Sequence, residues 1–516
     1  MSETVQTIEE SIPSGPEATS RASVETGASA PEASEPRVGE RAAHPEPGWR
    51  DRLETVVERQ RAARWASMDS SAVDRVRKIR RIQRWVESHQ AEILEAGRAD
   101  FGKPPTEVEL TEIWPVLQEA KHAAAHLADW MEPRRVRPSL ALAATRSWVV
   151  PEARGMALII SPWNYPLNLT LCPLISALAA GCCVVLKPSE MTPAHSALLR
   201  RLVEELFEPD EVALFEGDAE VAQALLEKPF DHVFFTGSSS IGKRVMAAAA
   251  EHLASVTLEL GGKSPVIVDE SAQLGDAVAK IAWGKWANSG QTCIAPDYVL
   301  VPRARHDDFV ARLVRKVERF YGSSPAQRRQ SPDLARIVNH RHFERLRALY
   351  DKTVALGART AIGGDFDAEQ RYVAPTVLTE VDPASPAMQQ EIFGPILPIV
   401  PYDSLDEVVE LVRSREKPLA LYIFSTDKAV VRRLLADTSA GGSCVNDVAL
   451  HFLHPRLPFG GVNHSGHGAS HGEAGFREFS HHRAVLRHHR LSALKLMAPP
   501  YKRLARLLAK LTVRWL

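Results

Sequence analysis

Cysteine is scarce in this chain. Cys172, Cys182, Cys183, Cys293 and Cys444 are the only five in 516 residues, and no two are spaced as CxxC. Such a set builds neither a disulfide framework nor a four-thiolate metal site, and it suits a reducing compartment, so the expected location is cytoplasmic. The adjacent Cys182 and Cys183 run into Val184-Val185-Leu186 and read as the start of a buried strand rather than a vicinal disulfide. No apolar run of about 18 residues occurs, so no segment is expected to span a bilayer. Net charge is missing too: 63 Lys and Arg against 64 Asp and Glu leave −1, which argues against bulk attraction to nucleic acid. The amino-terminal residues lack the basic start and apolar core of a secretory signal, and their acidity argues against a mitochondrial presequence.

The charges that are present are unevenly placed. Residues 1–48 read as a disordered acidic tail, because the first 47 hold nine Glu, three Arg, six Pro and no aromatic residue. So little apolar surface does not offset the ordering of a backbone. Over residues 51–131 apolar side chains recur at helical spacing, broken at Asp100-Phe101-Gly102-Lys103-Pro104-Pro105. The basic run 75–84 is interleaved with Ile and Val, which predicts the solvated face of an amphipathic helix and not a nucleic-acid patch. Beyond Val150, strands are expected at 156–160, 184–186, 212–215 and 232–235, with helices around 194–207, 218–227 and 241–252 between them. That alternation is α/β, a parallel βαβ sheet with a nucleotide site at its strand ends. A chain of 516 residues is expected to divide into two or three subdomains.

Two stretches carry candidate chemistry. WANSGQTCIAPDY (286–298) follows a helical segment (277–287) and breaks at Ser289-Gly290, leaving Cys293 on a loop before strand resumes at 299–301. A lone cysteine is more often apolar filler. As a nucleophile it needs a base or dipole to become thiolate, and an activated water to release its adduct. SVTLELGGKSPVIV supplies a candidate base, with Glu259 between a β-type run and a Gly-Gly turn. A third signal, HVFF followed by TGSSSIGK, is a glycine turn at a helix start, whose free N–H groups suit a pyrophosphate. Gly237 and Gly242 are five apart, so this is not GxGxxG, and alone it is weak.

Together these stretches resemble the aldehyde dehydrogenase superfamily, and AWGKWANSGQTCIAPDY is most similar to its class 3 branch, which includes fatty-aldehyde and coniferyl-aldehyde enzymes. Six motifs stand in the family's order between about Trp49 and Arg487. The resemblance implies a Rossmann-type NAD-binding domain (49–137 and 150–258), a second α/β catalytic domain (259–450), a bridging β-hairpin used in homodimer formation (138–149 and 475–489), and a basic tail (490–516). It implies Cys293 as nucleophile, Glu259 as base, and Asn164 of SPWNYP with the Cys293 N–H as oxyanion donors. In class 3, Glu391 of QEIFGP also has a claim to the base role. The implied cofactor residues are Lys187 and Glu190 of KPSE on the adenosine ribose, then Trp163, Gly237, Ser238, Gly242, Glu391 and Phe393. An anionic Glu190 should repel a 2′-phosphate and favour NAD, although class 3 relatives often accept NADP as well. The implied reaction is aldehyde to acid through a thiohemiacetal and a thioester, with long-chain aliphatic aldehydes first and aromatic ones second. The helix ELTEIWPVLQEAKHA borders the substrate tunnel in that branch, which makes Trp114 a candidate lining residue.

Other readings remain open at this stage. A CoA-acylating enzyme is disfavoured because Glu259 provides for hydrolysis, and a catalytically retired structural protein is disfavoured because the whole motif set is retained. His451, His454, His464, His467 and His471 invite a metal reading, but no cysteine or clustered carboxylate completes a four-ligand set, so no metal is expected. Asn463 and His467 depart from the glycine and the apolar residue that many relatives have there. The final YKRLARLLAKLTVRWL (501–516) has no acid and separates an apolar face from a basic one. It suits either peripheral contact with an anionic membrane or docking over the enzyme's own substrate funnel.

Overall fold

The computed structural model describes residues 47–139, 142, 145–488 and 498–515; the acidic tail, apart from its last two residues, falls outside them. Five strands, Met156–Ile160, Cys183–Lys187, Val212–Leu214, His232–Thr236 and Ser255–Glu259, form a parallel sheet. They are buried nearly throughout, as expected of short apolar strands covered by helices on both faces. The first of them lies centrally, between Cys183–Lys187 and His232–Thr236, so strand order reverses beside it and a crevice opens at the carboxyl ends. Gly466–His467 adds an antiparallel strand beside Ser255–Glu259.

The expected strands lie within a residue of those observed. One helix between them, Asn168–Ala180, was not anticipated. Nearly all of its residues are buried and Pro173 interrupts it, so it has no polar face from which a helical period can be read. Its carboxyl end also corrects the reading of the basic run. Arg75 is not part of a solvated face: it is 5% exposed. Its guanidinium donates to the carbonyls of Ala179 (3.0 Å), Ala180 (2.6 Å) and Met68 (2.7 Å) and to the Ser70 hydroxyl (3.0 Å). A cation there satisfies terminal helix carbonyls and the negative end of the helix dipole.

A second sheet runs Arg359–Ile362, Thr376–Thr379, Ile396–Tyr402, Tyr298–Pro302, Pro265–Val268, Ala420–Phe424, Gly442–Val445, parallel except at the first pair. The loops entering its strands Pro265–Val268, Tyr298–Pro302 and Ile396–Tyr402 hold the GGK, TCIAPD and EIFGP motifs. A third sheet joins Arg134–Val136, Thr145–Ala153 and Ser480–His488, antiparallel throughout. Its central strand continues four residues past the boundary expected at 149, and Val485 pairs with Trp148. The carboxyl-terminal helix Arg503–Trp515 leaves Leu504 and Leu507 55% exposed and Leu511 44% exposed.

Replacing Arg75 by Ala strands two buried carbonyls. Lower urea resistance equivalent to roughly 2–4 kcal/mol is expected, and an unchanged unfolding midpoint would contradict the capping role.

Candidate active site

The carboxyl edge of the first sheet gathers most of the residues singled out in the sequence. Lys187 ends its strand, buried, with Nζ donating to Glu190 Oε2 at 2.8 Å. Thr236 ends the strand His232–Thr236 and passes into Gly237, whose N–H donates to the Glu259 carbonyl (3.0 Å). Ser238 caps the helix Ser239–Ala250 with its hydroxyl on that of Ser240 (3.1 Å) and not on a backbone N–H, so the first N–H groups are left for another acceptor. Gly242 lies against Leu260, where a Cβ would come within 2.8 Å. The ring of Trp163, on the loop after Met156–Ile160, meets that of Phe393, on the loop before Ile396–Tyr402, edge to face, centroids 5.3 Å apart. An uncapped helix start, a Lys–Glu pair at a strand end and two aromatic rings at one switch point suit a dinucleotide.

Cys293 sits where the sequence placed it, on the loop between the helix Leu274–Trp286 and the strand Tyr298–Pro302. The loop opens with Asn288, Ser289 and Gly290, all with positive φ (51°, 51° and 71°). Gly290 is required: a Cβ there would fall 2.4 Å from the Gly394 carbonyl. Asp297, buried four residues beyond the cysteine, accepts from the Ile392 N–H (2.9 Å) and from Lys263 Nζ, and its own N–H donates to the Ser264 carbonyl (2.9 Å). One carboxylate thus joins the loop that follows Glu259 to the loops bearing Cys293 and Glu391. The Glu391 carboxylate lies over Gly261, where a Cβ would meet its oxygens at 2.3 and 2.4 Å.

Cys293 and Glu259 line one cavity whose other walls are mainly apolar, including Leu110, Tyr165, Trp283, Phe452, Leu453 and Phe459. Among the described residues neither carboxylate oxygen of Glu259 has a hydrogen-bond partner, and burial pushes its pKa up to about 8. Ser470, whose hydroxyl donates to the Phe459 carbonyl (3.2 Å), offsets part of that rise, and Glu478 adds to it. Burial, then the charges of Glu391 and Glu259, push the Cys293 thiol up to about 12; the backbone N–H groups of Cys293 and Ile294 pull the other way. Burial raises Glu391 to about 7. Lys285, fully buried with no hydrogen-bond partner for Nζ among the described residues, is lowered by burial to about 8. Trp114 is 40% exposed. It lines a small neighbouring hollow with Phe452 and His471, while Thr111 and Pro115 of its segment line the main cavity.

Asn164 is buried on the loop after Met156–Ile160, and residues that sequence reasoning passed over hold that loop. Lys103 Nζ donates to the Asn164 carbonyl (3.3 Å) and to Glu112 Oε1 (3.2 Å), while Glu112 Oε2 accepts from the N–H groups of Leu167 (3.1 Å) and Asn168 (3.0 Å). Asn288 Nδ2 donates to the same Asn164 carbonyl (2.9 Å), tying it to the cysteine loop. The only hint in the sequence was a lone lysine inside the helix-breaking Gly-Lys-Pro-Pro run. Among the histidines, His464 Nδ1 pairs with Glu416 (2.6 Å), and His471 lies edge-on to Phe452 (ring centroids 4.7 Å apart). No three metal-binding side chains come together among the described residues. Asn463 adopts φ 57°, which explains how it stands in for glycine: asparagine tolerates this conformation better than other side chains.

A thiol held protonated in this way should be alkylated by iodoacetamide slowly at neutral pH. The rate at Cys293, read by peptide mapping, is expected to keep climbing beyond about pH 9. A rate that levels off near the ordinary cysteine pKa, about 8.5, would contradict the burial argument.

Comparison with known proteins matches this chain over residues 25–485 to the aldehyde dehydrogenase family. It is 44% identical over 437 residues to the human aldehyde dehydrogenase family 3 member B1, covering 84% of this chain and 92% of that one. To the rat dimeric NADP-preferring aldehyde dehydrogenase it is 42% identical over 434 residues, 84% of this chain and 94% of that one. The fold matches that of a substrate-bound Staphylococcus aureus AldH with a TM-score of 0.84 and 40% identity, covering 89% of this chain and 99% of that one. With the thiol, the carboxyl and the nucleotide crevice placed as described, the chain belongs to the aldehyde dehydrogenase family, on its class 3 branch.

Proposed function

We propose that this enzyme oxidises apolar aldehydes to carboxylic acids with NAD or NADP, through covalent attachment of the substrate to Cys293. The observation that carries the reading is the shared cavity: a thiol and a buried carboxyl face one mainly apolar space. Attack of the sulfur on the aldehyde carbon makes an S–C bond and turns the carbonyl oxygen into an alkoxide, the thiol proton passing to a base. The Asn164 amide and the Cys293 N–H stabilise that oxyanion; losing one such donor typically costs about 100-fold or more in rate. The bound dinucleotide supplies the hydride acceptor, and Lys187, Glu190, Trp163, Gly237, Ser238, Gly242, Glu391 and Phe393 are the residues that would hold it. Once the adduct is a thioester, Glu259 takes a proton from water, which attacks the carbonyl carbon and expels the Cys293 thiolate. A carboxyl raised to about 8 is a base of useful strength near neutral pH. That base, set in the same cavity as the thiol, disfavours transfer of the acyl group to CoA.

Long-chain aliphatic aldehydes come first as substrates and aromatic ones second, because the walls offer a chain little but carbon. Two partner readings accompany this. The strand Ser480–His488 is mostly exposed and has no neighbour on its outer side among the described residues. An open edge of this kind suits pairing with a second copy in a homodimer. The carboxyl-terminal helix sets exposed Leu504, Leu507 and Leu511 beside exposed Arg503, Arg506 and Lys510, with exposed Lys502 just ahead of it, which suits peripheral contact with an anionic lipid surface.

NADH formation should rise with aliphatic chain length and vanish in Cys293→Ala. Turnover that survives the substitution would remove Cys293 as nucleophile. The full chain should sediment with phosphatidylserine vesicles and lose that binding in high salt, whereas equal recovery with neutral vesicles, or none with either, would rule the lipid contact out.

A further inference from the structure

Asn288 and Ser289, five and four residues ahead of the nucleophile, both hold left-handed backbone at φ 51°. Such residues cost on the order of 1–3 kcal/mol each and persist only where the surroundings enforce them. Part of the enforcement is local, the Gln291 side-chain amide donating to the Asn288 carbonyl (3.0 Å), and part comes from the Ser289 hydroxyl, which donates to the Ala335 carbonyl (2.5 Å). A further contact comes from much farther away in the chain. Glu107, on the short helix Pro105–Val108, accepts the Asn288 N–H on Oε2 at 2.9 Å. The Asn288 side chain in turn grips the Asn164 main-chain carbonyl (2.9 Å), which Lys103 also holds.

We propose that Glu107 is a positioning residue for both the nucleophile and its oxyanion donor: by fixing Asn288 it sets the Cys293 loop and the Asn164 loop in register with each other. Glu107 touches neither reacting group; it acts through Asn288. A backbone N–H needs only an acceptor, and a carboxyl supplies one whether ionised or not. That matters here, because burial raises Glu107 to about 7 and leaves it partly protonated near neutrality. The adjoining π-type turn, Glu109–Ile113, brings Glu112 under the same Asn164 loop, so one segment sends two carboxylates to the reaction centre's supports.

The inference rests on the roles given above to Cys293 and Asn164, and the experiment separates the two. Glu107→Ala should lower kcat about 10- to 100-fold, the loss typical of a small misplacement of reacting groups, with the affinity for NAD, read by fluorescence titration, unchanged. Glu107→Gln keeps the acceptor and should recover most of the lost kcat. In an Asn164→Ala background, Glu107→Ala should cost much less than in the wild type, because its effect runs partly through Asn164. A role in stability alone predicts instead multiplied losses and weaker NAD binding, and either result overturns the proposal, as does an unchanged kcat. If Glu107→Ala does not fold, Asn288→Asp replaces it: the grip on Asn164 is lost while the N–H to Glu107 is kept, and undiminished turnover counts against the proposal. Alkylation of Cys293, expected to be several-fold faster in Glu107→Ala, reads the loop without turnover. An inactive wild type with that acceleration would therefore sink the assigned reaction and spare the clamp.

Discussion

Asp297 is the contact on which the rest of the site depends. It holds Lys263 from the loop after Glu259 and the N–H of Ile392 next to Glu391, and it lies four residues beyond Cys293 on the same loop. All three groups are buried, so the attraction is little weakened by water, and removing one partner of such a pair typically costs about 3–5 kcal/mol. Lys263 adds donations to the Ala387 (2.6 Å) and Gln390 (3.0 Å) carbonyls, and Arg345 reaches the Ile392 carbonyl (2.6 Å). Three loops entering a parallel sheet, each free to vary alone, are thereby made one surface facing the carboxyl edge of the other sheet.

On that surface burial does most of the electrostatic work. It drives Glu259, Glu391, Lys285 and the Cys293 thiol all toward their neutral forms. Of these groups Glu259 and Cys293 line the cavity, and with both held toward neutrality an apolar aldehyde enters without desolvating an ion. Charge then appears only as the reaction creates it, beside backbone N–H groups that are already fixed and need no reorganisation. The Ser470 hydroxyl favours the ionised form of Glu259, but burial outweighs it and keeps the carboxyl a stronger base than an exposed one.

The parts legible in the sequence were those that repeat locally. The strands 156–160 and 232–235 declared themselves as apolar runs between turn residues, and Cys293, Glu259, Lys187 and Glu391 stood in motifs whose order was informative. What stayed hidden was fixed by contacts over long stretches of chain. Asn168–Ala180 lost its helical period because it is buried on every side. Arg75 looked like a solvated charge because the carbonyls it caps lie more than a hundred residues away. Lys103, Glu107 and Glu112 carry no local signal of their own, and their partners at 164, 167, 168 and 288 are invisible to any local pattern. Asp297 stood inside a quoted motif, yet nothing in its neighbours revealed that it ties three loops together.

The central claim is a division of labour in one cavity, with the sulfur of Cys293 carrying the substrate and Glu259 activating the water that frees it. The most direct test is the intact mass of Glu259→Gln protein quenched after mixing with NAD and a long-chain aldehyde. The account predicts a trapped acyl group on Cys293, located by peptide mapping, with a burst of NADH close to one per site and slow turnover afterwards. A protein that stays unmodified while turning over at the wild-type rate would contradict it, because release would then not depend on Glu259.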